Sequence, residues 1–504
     1  MLGFKLSKKD LFWILSLAAI FILGFFLRIY RLEDLLGFYY DSGRDGLVIY
    51  DLLVNHKFTL IGPTSGIEGI FLGPFYYYLI AIGYLLGGGD PAVASGSVGF
   101  VNALAIILIF LIGKKAFNIA VGFIAAFLFA LSFDAITFAR WFANPAPIAF
   151  FSSLTLLSLT LLKLKKPGWW LAIGTFSIGL ALQLEAASAI WFIPSTIAIL
   201  LLLKIKIEKK WIILSVLAFG LTLLPQILFD LKHKFLLFKA FYLFLVTEKS
   251  FHSSFWDTVK QRLPFYLENY ANALSFEKQK MLIFIVLALA SILAFTKRLF
   301  GKTDSLWGVW LLVLWIAGAL IGLLFYQGNN GYVWGYYLSG TMPAFFLLIG
   351  FLIYLWLQKL YLWPLALIFL YIFLNVNLAK TQSYLSQGEP AENTINFTNQ
   401  KQAIDYIYQD AKTKDFNVDV YVPPVIPYSY DYLILWYGQK NYGFVPKKEN
   451  TLVLYTLEEV DSPHPERLKA FLDRQNSFSE VITTKKIGGI TIEKRLRTKP
   501  IISQ

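Results

Sequence analysis

Phe38-Tyr39-Tyr40-Asp41-Ser42-Gly43-Arg44-Asp45, running on through Gly62-Pro63-Thr64-Ser65 to Leu72-Gly73-Pro74-Phe75-Tyr76-Tyr77-Tyr78, is the stretch on which the reading of this chain turns. It places two carboxylates, an arginine and small residues directly after a first apolar run, Leu11 to Leu27. Ionisable groups at the edge of a membrane are expensive to hold and point to function. On a helix Asp41 and Asp45, four residues apart, share a face. A carboxylate partly stripped of water suits a general base. Arg44 offers a planar fork of donors that matches a phosphate. The bland reading is a salt-bridged turn that closes the first helix.

Composition supplies the setting. The 504 residues are 57% hydrophobic and 15% charged, with mean hydropathy +0.59; soluble domains carry about 25% charged residues. Apolar runs near the roughly 20 residues needed to cross a bilayer recur along the chain. These features predict a polytopic α-helical membrane protein. The net charge is +13, yet residues 379–504 hold 16 Lys and Arg against 15 Asp and Glu. The excess therefore sits in the apolar part, as the positive-inside bias of cytoplasmic loops requires. A nucleic-acid partner is not implied. With no Cys, disulfides, thiolate metal sites and a cysteine nucleophile are excluded.

Lys5, Lys8 and Lys9 place the N-terminus in the cytoplasm, so the Asp41 loop lies outside. Ile70 to Leu86 reads as a helix lying at the outer interface, with Tyr76 and Tyr77 in its aromatic cluster. Counted instead as a crossing, it would put Lys114-Lys115 and Lys163-Lys165-Lys166 outside. The remaining apolar runs then alternate, and about eleven spans are expected. Asp230 to Lys280 is expected as a long outer loop, with eight Lys and Arg and five Asp and Glu. Two domains follow. Residues 1–378 form the membrane domain, with a catalytic outer loop over 28–69 and the interfacial helix over 70–87. Residues 379–504 form a small extracytoplasmic α/β domain, with strands near Val418, Thr451, Glu480 and Gly489 and helices over Gln402–Lys412 and Pro465–Arg474.

Other outer-face residues could join Asp41. Arg140, in Phe138-Ala139-Arg140-Trp141, suits a phosphate, or else an interfacial anchor. Asn144 could orient a sugar hydroxyl. Glu185 sits at the outer tip of a tight hairpin after Gln183, as a site residue or a hydrated turn. A divalent metal could use the oxygens of Asp41, Glu68 or Glu185, but no spacing compels one and no cofactor is required. His56 and His233 support a zinc site only weakly.

Taken in order, the Asp41-Ser42-Gly43-Arg44-Asp45 loop, Leu72-Gly73-Pro74-Phe75-Tyr76-Tyr77-Tyr78-Leu79, the inner Lys114-Lys115 turn, Phe138-Ala139-Arg140-Trp141 and the hairpin Gly179-Leu180-Ala181-Leu182-Gln183-Leu184-Glu185 resemble the GT-C superfamily of membrane glycosyltransferases. The likeness is to its bacterial branch, related to protein O-mannosyltransferases and aminoarabinose lipid A transferases. It covers about residues 1–380. The resemblance implies inverting transfer of a sugar from a polyprenyl-phosphate donor to an acceptor hydroxyl on a lipid, glycan or protein, at the outer face of the cell membrane. It implies Asp41 as the base and Arg44 and Arg140 as holders of the donor phosphate. Asp45, Asn144, Glu185, Tyr76 and Tyr77 would support or bind substrate. Two positions depart from the pattern: Asn144 stands where several relatives carry an acidic residue, and Glu185 where a His or Lys is frequent.

The competing reading is a transporter or flippase of a lipid-linked sugar. Such proteins place polar groups at the bilayer midplane and carry internal repeats. Here the carboxylates gather in outer loops and no repeat is visible.

Overall fold

Long apolar segments separated by Lys-rich turns leave the chain one way to satisfy its backbone in lipid, as helices. The computed structural model describes residues 7–67, 69–247, 254–287, 306–326, 328, 331–387, 394–423 and 426–498. Six helices among them are long and apolar enough to cross a membrane: Lys8–Ile29, Pro91–Ala116, Lys209–Lys232, Trp307–Leu324, Gly335–Leu357 and Leu360–Ser386. The pair Ile119–Leu131 and Phe133–Arg140, bent by 58°, makes a seventh if it counts as one span. Ile148–Lys163, Trp170–Leu184 and Ala186–Leu202 are apolar but shorter. The chain is a multi-pass membrane protein. Length and composition select fewer spans than the eleven expected. The expected run Met281 to Phe295 is helical over 278–287, and the rest of it lies outside the described residues.

The bundle is layered. Gly335–Leu357 is its most enclosed span, 78% buried, whereas Lys8–Ile29 is 6% buried and faces outward. Pro91–Ala116 lies between them, packed against the first helix, Ile119–Leu131, Ile148–Lys163 and Phe75–Leu86. Its crossing with Ile119–Leu131 is close because Gly113 and Gly122 meet; a Cβ on Gly113 would lie 2.6 Å from Gly122 Cα. Small residues at helix crossings let backbones approach in this way. Arg28, read from sequence as the point where the chain leaves the membrane, is fully buried. Its Nε donates to Asn102 Oδ1 at 3.1 Å and its Nη1 to Gly24 O at 2.9 Å. Ser132 explains the bend of the broken pair. Its Oγ caps the second helix through Ala135 N and donates to Ala273 O at 2.7 Å.

Two expectations change. The described residues between Asp230 and Lys280 are largely helical, with Leu236–Tyr242 and Phe255–Ala273. The second helix buries Thr258, Arg262, Tyr266 and Tyr270, a stripe at spacing four, while Asp257, Lys260 and Glu268 are exposed on its other faces. Within 70–87 the helix is Phe75–Leu86, and Tyr76 and Tyr77 are buried instead of resting at an interface. Tyr76, Ile80 and Tyr84 repeat every four residues along the packed face, which leaves Ile82, Leu85 and Leu86 exposed.

The last apolar helix runs past 378 to Ser386. Beyond it, β1 (Phe416–Tyr421), β2 (Val453–Glu459), β3 (Ser479–Ile487) and β4 (Ile490–Arg497) form one sheet in the order β1-β2-β4-β3. β1 runs parallel to β2, while β2–β4 and β3–β4 are antiparallel. Helices Phe397–Ala411 and Pro465–Asn476 cover the expected positions. A further helix, Tyr428–Leu433, has no counterpart in the sequence reading. This domain sits directly on the segments around Leu36, Phe38 and Gly88–Gly89. Phe397 N donates to Leu36 O at 3.0 Å and Gln400 Nε2 to Phe38 O at 3.0 Å. Tyr432 and Trp436 donate to the carbonyls of Gly89 and Gly88 at 2.6 and 2.8 Å.

Candidate active site

Asp41 stands in the first turn of a helix, Tyr40–Val54, where a carboxylate gains from the positive end of the helix dipole. Ser42 fixes that end by accepting from Tyr39 N at 3.0 Å. The two glycines on this helix serve packing. A Cβ on Gly43 would lie 2.3 Å from Ser429 N, and one on Gly46 would lie 3.0 Å from the Tyr432 ring. The face carrying Gly43 and Gly46 is therefore pressed against Tyr428–Leu433 of the C-terminal domain. Asp41, Arg44 and Asp45 are turned to a cavity of about 1350 Å³.

Arg44 lies between the two carboxylates. Its Nη1 is 2.9 Å from Asp41 Oδ1, and its Nη2 is 2.8 Å from Asp45 Oδ1. The aspartates differ sharply in environment. The Asp41 side chain is 71% exposed and that of Asp45 4%. Burial pushes Asp45 up to about 6, against the pull of Arg44 and of the Tyr77 hydroxyl, which donates to it at 3.2 Å. Burial alone would lower the Arg44 guanidinium; Asp45 beside it more than reverses that, so Arg44 stays charged. Arg44 Nη1 also reaches Thr64 Oγ1 at 3.5 Å. Thr64 belongs to a narrow loop closed by Gly62 N to Leu72 O, Leu72 N to Pro63 O and Ser65 N to Ile70 O, at 2.7, 2.9 and 3.0 Å.

Asn144 and Glu185 line the same cavity. Glu185 is buried and caps the short turn after it, accepting from Ala187 N at 2.6 Å, Ser188 N at 3.0 Å and the Ser188 hydroxyl. Burial raises its carboxyl to about 7 despite those donors. Asn144 donates to Leu184 O, which ties its loop to the same hairpin. Gln183 adds another tie by accepting from Phe75 N at 3.0 Å.

Arg140 is placed differently from the expected phosphate holder. It does not line the cavity; its Nη1 donates to Tyr30 O at 2.9 Å and Leu27 O at 3.2 Å, and its guanidinium lies over the Tyr384 ring. It clamps the C-terminal end of the first helix. Tyr76 is buried and does not line the cavity, and Tyr77 meets the site from behind, at Asp45 and Arg44. Glu68, offered as a metal ligand, lies outside the described residues. Among the described residues no group of three or more His, Cys, Asp or Glu is placed to hold a metal ion.

The cavity also takes residues that the sequence reading did not assign to a site, among them Trp191, Gln226 and Asp230. A second, apolar groove of about 490 Å³ runs between Trp170–Leu184, Phe192–Leu202 and Lys209–Lys232. Ile193 and Phe219 line both, so the groove and the cavity are adjacent.

Comparison with known proteins places this arrangement in a class. The family model described as dolichyl-phosphate-mannose-protein mannosyltransferase matches residues 72–229. No curated protein matches the sequence. Among solved structures, ArnT from Cupriavidus metallidurans in the apo state is similar at TM-score 0.59 and 11% identity, over 97% of this chain and 98% of that one. The same bacterium's ArnT bound to undecaprenyl phosphate is similar at TM-score 0.56 and 12% identity, over 96% and 98%. The chain shares the fold of these ArnT structures. The likeness runs through the C-terminal sheet domain as well as the helices, since nearly all of both chains is covered.

Proposed function

We propose that this protein transfers a sugar from a polyprenyl-phosphate donor to an acceptor hydroxyl at the outer membrane surface, with inversion at the anomeric carbon. The observation that carries the reading is the adjacency of two unlike spaces. An apolar groove suited to an isoprenoid chain lies beside a cavity that presents Asp41, Arg44 and Asp45, with Ile193 and Phe219 in the wall of both. A lipid-phosphate substrate has these two halves, and one of the two similar ArnT structures holds undecaprenyl phosphate.

In this reading Asp41, exposed and at a helix N-terminus, takes the proton of the acceptor hydroxyl. The freed oxygen pair attacks the anomeric carbon from the side opposite the phosphate. The carbon–oxygen bond to the phosphate breaks, and its electrons leave on the lipid phosphate. One displacement inverts the centre. Arg44 is held by buried Asp45 and can turn its other arm from Asp41 to the departing phosphate, where a fixed cation is worth most as charge develops. Arg140 supports this by anchoring the first helix instead of contacting phosphate. The same reading places the N-terminus in the cytoplasm and the sheet domain outside.

The test is transfer from a radiolabelled polyprenyl-phosphate hexose pool in membranes. Asp41→Asn should lower transfer by roughly 100-fold or more while expression and donor binding persist, the range for losing a positioned base. Near-normal transfer by Asp41→Asn would remove Asp41 from the role. Labelled lipid that crosses the bilayer with no transfer to any acceptor would support a flippase instead.

A further inference from the structure

The cavity has a third wall that neither the groove nor the carboxylates explain. Trp141, Trp334 and Tyr336 line it, from the turn after Phe133–Arg140 and from the segment leading into Gly335–Thr341. The three rings form one continuous surface. Trp141 and Tyr336 have centroids 5.4 Å apart, and Trp334 and Tyr336 lie 6.3 Å apart and nearly parallel, at 14°. Trp141 and Trp334 are 44% and 45% exposed. Aromatic rings of this kind often form a belt facing lipid at the membrane interface. These face a cavity shared with Asp41, Arg44 and Glu185 instead. No described residue of 141–145 or 325–337 lines the apolar groove, so the surface is separate from the wall that would carry a lipid chain.

We infer that this aromatic wall seats a pyranose ring of the acceptor, so that the acceptor of this enzyme is a glycan and not a peptide side chain. The negative faces of aromatic rings attract the polarised C–H bonds of a sugar's apolar face, while its hydroxyls stay free for polar partners. Asn144 and Glu185, on the same cavity, are polar groups of the kind that orient such hydroxyls. A serine or threonine acceptor presents no flat apolar face of this size. The inference rests on the transferase reading for its consequence, but the binding surface can be tested apart from it.

The experiment uses the full-length protein in detergent or native membranes, with two probes: a short oligosaccharide of hexopyranoses and a Ser/Thr-rich peptide. Saturation-transfer NMR on the oligosaccharide reads binding, and consumption of labelled polyprenyl-phosphate hexose reads the transferase. The wild type should bind the oligosaccharide and not the peptide, with saturation arriving at the sugar's apolar C–H groups. Trp334→Ala and Tyr336→Ala should weaken that binding by roughly 3- to 10-fold, the worth of one aromatic face, and Tyr336→Phe should restore it because the ring remains. If transfer occurs, the acceptor KM should rise in the alanine variants while the donor KM holds. Peptide preferred over oligosaccharide, or oligosaccharide binding untouched by both alanine variants, overturns the inference. Oligosaccharide bound through the rings with no donor consumed leaves the sugar-binding surface standing but removes the transferase reading, and the acceptor role with it.

Discussion

Asp41 and Asp45 are one helical turn apart and bear the same functional group, yet their surroundings assign them different work. Asp41 is open to the cavity; Asp45 is walled in by Arg44 and Tyr77. Because folding raises the Asp45 carboxyl from 3.8 to about 6, the folded chain binds that proton more tightly than the unfolded chain. Its contribution to stability is therefore complete below about pH 4 and is lost as pH rises through 6. Activity should run the other way. Below pH 6 Asp45 is neutral and no longer holds Arg44, which is left to pair with Asp41 and make it a poorer base. The expected profile of kcat/KM falls on the acid side with a midpoint near 6. Asp45→Asn should lower the plateau and abolish that limb. A limb unchanged in Asp45→Asn would assign the titration to another group, with Glu185, raised to about 7, the next to examine. Sequence alone exposed the cluster, because charges after an apolar run are conspicuous. The residue spacing alone could not rank the two aspartates, and Asp41 is singled out as the base only through the family resemblance, since their difference is one of burial that depends on how Tyr77 folds back over Asp45.

At the scale of the element, the informative feature is the Tyr40–Val54 helix. Its first half, Tyr-Asp-Ser-Gly-Arg-Asp-Gly, is poor in helix formers, and two glycines each cost about 1 kcal/mol against alanine. The sequence accordingly reads as a loop. The helix forms because Gly43 and Gly46 admit the Tyr428–Leu433 helix against its backbone, a contact between segments nearly 400 residues apart. Gly43→Ala should therefore destabilise the protein, against the local propensity that favours it. The added carbon would sit 2.3 Å from the backbone nitrogen of Ser429, which has no flexible end to move. Overpacking of this kind costs about 1–3 kcal/mol. A lower melting temperature of the purified protein is expected, with loss of transfer as the Asp41 helix is displaced. An unchanged or higher melting temperature would mean that the two helices separate freely. The same physics explains the Phe255–Ala273 helix inside an expected loop: it has no continuous apolar run, and the buried stripe from Thr258 to Tyr270 is visible only by counting in fours. By contrast, the long apolar helices, the four strands and the hairpin at Glu185 were legible, because apolar runs and alternation are local signals.

Across the whole molecule, the cavity brings together the Asp41 cluster, the Glu185 hairpin and the aromatic segment around Tyr336, beside the apolar groove. Its walls come from positions between Asp41 and Tyr337, so no single motif contains it. Arg140 illustrates the cost of reading such a site from motifs. It lies next to Trp141, which lines the cavity, yet its own side chain turns back to Leu27 O and Tyr30 O. The groove gives the reading its most discriminating consequence. Val216 lines it and is exposed, so a larger side chain there fills the channel without disturbing a buried core. Val216→Trp should raise the donor KM by roughly tenfold, equivalent to excluding about two CH2 groups from apolar contact, with kcat and acceptor KM nearly unchanged. The penalty should shrink as the donor's isoprenoid chain is shortened, because a chain that ends above the block never meets it. Measuring donor KM for long and short polyprenyl-phosphate hexoses against both proteins checks this directly. An equal penalty at every chain length would mean that the substitution perturbs the phosphate end and that the lipid runs elsewhere. A penalty confined to long chains would tie the groove between Trp170–Leu184 and Lys209–Lys232 to the donor, and with it the orientation in which the sugar reaches Asp41.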